Sequence, residues 1–174
     1  MIVIGGETSM AEPLACRLTP GSDLPPCDAR IVALYRYWLS IRPGPGLLPG
    51  RKHFNPTAIP SLLRWIWLAD IQRNPLRFKY RLVGTEHVEA TGTDPTGHWY
   101  DEVHPRFLRS SAYPLFAASA ERAEVTFYHG DPVYVIDAKF KIVERLILPM
   151  ASDGKQVDML LGITVLDPEP PNNQ

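Results

Sequence analysis

Two tight-turn signals constrain the fold of this chain most strongly, because each separates two runs of strand-forming residues. Gln72-Arg73-Asn74-Pro75 lies between runs at residues 64–71 and 77–84, and Asp153-Gly154 lies between runs at residues 140–151 and 157–166. Turn chemistry of this kind favours antiparallel hairpins. With a further run at residues 132–137, the sequence predicts five strands in a mainly antiparallel sheet.

Helical periodicity occupies the segments outside these strands. Asp28 is typical of an N-cap, and the apolar residues behind it recur at helical spacing as far as residue 42. Residues 85–129 form a helical crossover, in which residues 118–129 carry both a helical stripe and strand propensity; we predict helix there. Since the helices must cover one face of the sheet, the predicted class is α+β.

The same patterns set the expected boundaries of the domain. Residues 1–27 contain four prolines and no sustained period, so we expect an irregular N-terminal arm. Residues 28–166 then form one domain, with its amphipathic helix at residues 28–42, and residues 167–174 form a flexible tail.

Charge and hydropathy exclude several classes of function. The chain has 18 Lys and Arg against 19 Asp and Glu, a net charge of −1, so nucleic acid is not an expected partner. No apolar run approaches the ~18 residues of a membrane span, and no signal peptide is evident, so we expect a cytoplasmic protein. Cys16 and Cys27 are expected to be free thiols in that compartment.

A set of short motifs, in a particular order, resembles a known family. The motifs are Tyr35-x-Tyr37-Trp38, Asn55-Pro56, Tyr80-Arg81-Leu82-Val83-Gly84-Thr85, Gly92-x-Asp94-x-Thr96-Gly97, Leu146-Ile147-Leu148-Pro149-Met150 and Val157-Asp158-Met159-Leu160-Leu161-Gly162. Together they resemble the small bacterial PAS-like domains, most of which are single-domain and uncharacterised. The resemblance implies a five-stranded antiparallel PAS sheet with helices over one face and an N-terminal helix before it. It also implies a sensory or regulatory module in signal transduction, without catalysis.

Strand alternation indicates which side chains would form an apolar interior. Aromatic and methionine side chains suit a small apolar ligand, although they would equally form a solid core. The predicted pocket residues are Trp67, Tyr80, Trp99, Tyr113, Phe116, Leu148, Met150, Met159 and Leu161.

The first helix carries an apolar stripe that needs a partner, either the domain's own sheet or a second copy of the chain. PAS domains often dimerise through a helix at this position, and a signalling partner protein is also expected. The candidate interface residues are Ile31, Leu34, Tyr35, Trp38 and Ile41.

Histidines in the crossover leave two further chemistries open. Haem would need an axial ligand, for which His87, His98, His104 and His129 are candidates, although surface histidines are a simpler interpretation. A photochemical flavin adduct is not expected, because no cysteine lies within the predicted fold. The alternative function is a small isomerase or hydrolase that uses His98, Asp101 and Glu102 as acid, base or metal ligands on one helix face.

Overall fold

The structure, a computed structural model, describes residues 12–136 and 138–168. Within these ranges the chain forms six strands and four α-helices, with short 3-10 segments between Arg51 and Leu62. In chain order they are β1 (Leu14–Leu18), α1 (Ala29–Ser40), β2 (Ile66–Gln72), β3 (Arg77–Val83), α2 (Thr85–Thr91), α3 (Tyr100–Val103), α4 (Tyr113–Arg122), β4 (Val125–Gly130), β5 (Val143–Met150) and β6 (Met159–Leu166).

The strands form a single antiparallel sheet in the order β1-β4-β5-β6-β2-β3. Both predicted hairpins are present, because β2 pairs with β3 and β5 pairs with β6 across the expected turns. Asp153 fixes the second turn, since its Oδ1 accepts hydrogen bonds from the amides of Lys155 and Gln156, each at 2.8 Å. The predicted α+β class with an antiparallel sheet is confirmed.

Three predicted segments differ from the structure. Leu14–Leu18, expected to be irregular, is a strand that pairs with β4, whose outer edge would otherwise expose its backbone groups. Of the segment 118–129, expected to be helical, residues 125–129 belong to β4, because α4 ends at Arg122 and the chain turns through Ala123 at φ 56°. Of the strand expected at residues 132–137, residues 132–136 form turns and residue 137 lies outside the described residues. Residues 1–11 of the arm and 169–174 of the tail lie outside the described residues.

Helix α1 covers the face of the sheet formed by β5 and β6. The Asp28 side chain caps the helix by accepting from the Arg30 amide, as predicted. Trp38 Nε1 donates to the carbonyl of Pro149 at 3.1 Å, and the Glu144 carboxylate accepts from the Asp28 amide at 2.8 Å. The start and the last turn of the helix are therefore both anchored to β5.

This packing corrects the expectation of an exposed dimer face on the first helix. The side chains of Ile31, Leu34 and Trp38 are fully buried in the single chain, and Tyr35 is buried nearly as completely. Only Ile41 remains partly exposed. The apolar stripe therefore finds its partner in the chain's own sheet, the other option that its periodicity left open.

The crossover helices α2 to α4 cover the opposite face. Alternation along β5 turns Glu144, Leu146 and Leu148 toward α1, and Val143 and Arg145 toward the crossover. None of the helices in residues 12–136 and 138–168 is long and apolar enough to cross a membrane.

Candidate ligand-binding site

A cavity of about 460 Å³ lies between the sheet and the crossover. Its walls come from β2, β3, β5 and β6, from α2 and α3 with the loop between them, and from the turns at residues 132–136. Binding sites for small molecules in proteins usually have volumes of roughly 300–1,000 Å³. The cavity is therefore of a size that holds a small organic molecule.

The floor of the cavity is a fixed indole. Trp67 lies across Gly162 on the neighbouring strand, where a Cβ atom would be 2.0 Å from the indole ring. The indole Nε1 donates to Thr164 Oγ1 at 3.0 Å, and the ring stacks on Phe116 with centroids 5.5 Å apart. Glycine at position 162 is thus required for the indole to lie flat on the sheet.

One wall of the cavity is a cluster of aromatic rings. Tyr80 and Tyr100 stack with their ring centroids 3.9 Å apart, and the Tyr80 hydroxyl lies 2.8 Å from His104 Nε2. The Tyr134 ring also contacts the His104 ring, with centroids 4.9 Å apart. Burial raises the pKa of Tyr80 and Tyr100 well above the ordinary value, so both phenols stay neutral.

The crossover is attached to the sheet edge at this wall. The Tyr80 amide donates to the His98 carbonyl at 2.9 Å, and the Gly97 amide donates to the Tyr80 carbonyl at 2.7 Å. Gly97 adopts φ +84°, a conformation that glycine reaches without strain. These bonds hold the loop that leads into α3 over the cavity.

Two histidines in the lining are held neutral. Burial is the main cause that lowers the pKa of both His87 and His104 from 6.5 to about 4, and the positive charge of Arg145 lowers both further. His87 Nε2 donates to the Trp65 carbonyl at 3.1 Å, which partly opposes the shift. A third histidine of the lining, His98, is exposed at the mouth.

Arg145 is the charged side chain of the inner wall. It is 3% exposed, and its Nε and Nη1 atoms have no hydrogen-bond partner among the described residues. Its guanidinium carbon lies 4.8 Å from the centre of the Tyr134 ring. The one carboxylate among the described lining residues, Asp94, is exposed and accepts from the amide and hydroxyl of Thr96. The inner wall therefore presents a positive charge and polar hydrogens.

Only part of the predicted pocket coincides with this cavity. Trp67 and Tyr80 line it, and Phe116 supports Trp67 from behind. Trp99 instead packs outside, 4.3 Å from the Arg77 guanidinium, and Tyr113 packs against Phe78 and Phe107.

The four aliphatic candidates lie on the wrong face of the sheet for the cavity. Leu148 pairs with Leu161, and Met150 pairs with Met159, so the four side chains do share a face as predicted. That face is the one covered by α1, because these residues are in phase with Glu144 rather than with Arg145. They form core, and none of them lines the cavity.

The predicted cluster of His98, Asp101 and Glu102 does not converge. Asp101 and Glu102 both pair with Arg77, at 2.9 and 3.2 Å, whereas His98 faces the cavity mouth. Residues 12–136 and 138–168 contain no group of three or more side chains placed to hold a metal ion.

The haem candidates separate between the two faces of the sheet. His129 lies away from the cavity, where its Nδ1 contacts Glu144 at 3.0 Å. His87 and His104 line the cavity, but each uses its Nε2 in an internal hydrogen bond. An axial role for either ring would require that bond to break.

The polar groups that define the site were not among the predicted residues. Arg145, Tyr134, Tyr100 and Thr164 all line the cavity. Arg145 could have been predicted from the sequence, because it lies in the middle of an apolar strand. A charged side chain is costly to bury there unless it has a partner.

Comparison with known proteins adds one finding. The model of the PAS domain family matches residues 28–165, which is most of the chain. No curated protein and no solved structure matches.

Proposed function

The chain belongs to the PAS domain family, a family of sensory and regulatory modules, and we propose that it works by binding a small molecule in its cavity. Binding would then change how the domain contacts a partner protein or a second copy of the chain. No catalytic step is part of this proposal.

The observation that carries the proposal is the cavity itself. A core that served only for packing would fill this space, since protein interiors are close-packed and voids larger than a water molecule are few. Here about 460 Å³ stays open, and its walls are fixed by the Trp67–Thr164 and Tyr80–His104 hydrogen bonds. Preformed walls of this kind reduce the entropic cost of binding.

Native mass spectrometry of freshly purified protein, followed by thermal-shift screening with small organic compounds, tests the proposal. The wild type should retain a small molecule or be stabilised by several compounds. Ala90→Phe, which places a ring into the cavity from α2, should lose both effects while remaining folded by circular dichroism.

The matched control is Ala33→Phe, the same change at an exposed position of α1. It should behave as the wild type does. A wild-type protein that holds nothing and responds to no compound, or an Ala90→Phe variant that binds as well as the wild type, would contradict the proposal.

A further inference from the structure

We propose that the cavity selects monoanionic ligands, in which a single carboxylate pairs with Arg145 and a compact aromatic body fills the remaining space. This inference rests on the proposed function, because it assigns the chemical class of the molecule that the cavity binds.

The first step of the argument is the state of Arg145 in this structure. A guanidinium keeps its charge at every accessible pH, so it cannot escape the cost of burial by losing a proton. Arg145 is nevertheless 3% exposed, and two of its nitrogen atoms have no partner among the described residues. A buried charge without a counter-ion is strongly unfavourable. An anionic occupant of the cavity would supply the missing counter-charge.

The second step is that the nearby acidic groups of residues 12–136 and 138–168 do not supply that charge. Glu144 is the next residue on the same strand, but its carboxylate points to the other face, where it accepts from the Asp28 amide and contacts His129. Asp94 lies at the exposed mouth and is engaged by Thr96.

Among the described residues, the other titratable groups around Arg145 are uncharged at neutral pH. They are the phenols of Tyr80 on β3, Tyr100 on α3, Tyr128 on β4 and Tyr134 in the turn that follows β4; burial raises the pKa of all four. His87 on α2 and His104 after α3 are held neutral by burial. In the part of the chain that the structure describes, the inner wall thus carries one positive charge, which one carboxylate balances. A phosphate monoester carries nearly two negative charges and would leave one unpaired.

The third step concerns the body of the ligand. Around Arg145 the lining is aromatic and aliphatic, with Tyr134, Phe140 and Val143 on the side of β5 and Tyr100 on the side of α3. Planar side chains of this type favour a planar ligand, through stacking and edge-to-face contacts. A carboxylate also matches the two-pronged hydrogen bonding of a guanidinium.

A matched pair of probes tests the proposal directly. 2-Naphthoate and 2-naphthamide have nearly the same shape but differ in charge, and calorimetric titration measures the affinity of each. We expect the wild type to bind 2-naphthoate roughly tenfold or more tightly than 2-naphthamide, as hydrogen bonds to charged groups predict.

Variants at one position then assign the preference to Arg145. Arg145→Met should remove the preference, whereas Arg145→Lys should keep part of it. The control is Arg81→Met, which removes an exposed arginine paired with Asp70 on the sheet edge and should leave the preference intact. If Arg145→Met does not fold, the ratio of the two probe affinities in the wild type and in Arg145→Lys still tests the proposal.

The outcomes separate this inference from the proposed function. Equal binding of both probes to the wild type, a preference that survives in Arg145→Met, or a neutral or cationic molecule released from the purified protein would overturn the inference and leave ligand binding standing. Absence of any retained molecule and of any binding to the wild type would overturn both.

Discussion

Lowering the pH from 7 to 5 should destabilise the ligand-free domain through two half-buried histidines of the cavity. The pKa of His87 and of His104 is lowered to about 4 in the folded chain, mainly by burial, whereas a histidine in the unfolded chain has its ordinary value of 6.5. The unfolded state therefore takes up protons as the pH falls through 6.5, and the folded state does not until about 4. The free energy of unfolding therefore keeps its full value above pH 6.5 and decreases as the pH falls from 6.5 to about 4.

The size of the loss follows from the two pKa values. At pH 5 each histidine is almost fully protonated in the unfolded chain and mostly neutral in the folded one. Linkage then gives a loss of about 1.5–2 kcal/mol per histidine between pH 7 and pH 5, or roughly 3–4 kcal/mol for both. Domains of this size are stabilised by about 5–15 kcal/mol in total, so the effect is large enough to measure.

Urea denaturation at both pH values, followed by tryptophan fluorescence, measures the free energy of unfolding. In the double variant His87→Gln with His104→Gln, the difference between pH 7 and pH 5 should shrink by that amount, whatever the variant's own stability. His98→Gln, at the exposed mouth, is the matched control and should keep the wild-type difference. A double variant that loses as much stability as the wild type between pH 7 and pH 5 would refute the assignment.

Three further predictions concern packing and cofactors. Gly162→Ala should cost roughly 1–3 kcal/mol of folding stability, because its Cβ would meet the indole on the cavity floor at 2.0 Å, whereas Gly44→Ala, with its nearest neighbour at 3.8 Å, should be close to neutral in the same urea assay. Trp38→Ala should cost about 3–5 kcal/mol of folding stability, and an unchanged urea midpoint would contradict its burial in the single chain. Sedimentation velocity on the wild type separately tests the predicted homodimer. Haem titration should give no saturable Soret band, because the Nε2 atoms of His87 and His104 are already engaged; a one-to-one band would establish haem instead.

The sequence predicted the hairpins because the information for them is local. Asp153 caps its own turn through two backbone amides, and the residues on both sides alternate or run apolar. The structure of residues 125–130 depends instead on pairing with β1, near the start of the chain, and with β5, the next strand. The helical spacing of apolar residues in that segment does not predict its structure, because strand pairing on both of its edges decides it.

The candidate site was harder to predict, because alternation along a strand says which residues share a face but not which face it is. Leu148 and Arg145 are both buried on β5, and only the positions of α1 and the crossover show that Arg145 faces the cavity. The motifs that identified the family also fix the scaffold in this chain. The Tyr37 hydroxyl, for example, accepts a hydrogen bond from the Asn55 amide, and neither residue lines the cavity.

The adjacency of Glu144 and Arg145 on β5 also bears on folding fidelity. A slip of β5 by one residue against β4 and β6 would turn the guanidinium under α1 and the carboxylate into the cavity. The Asp28 amide and the His129 ring, which both contact the Glu144 carboxylate, would then face a cation, and two ionic groups would exchange environments at once. A sheet in the wrong register is therefore destabilised by electrostatics as well as by packing. The Glu144-Arg145 dipeptide in this way helps to specify the register of β5.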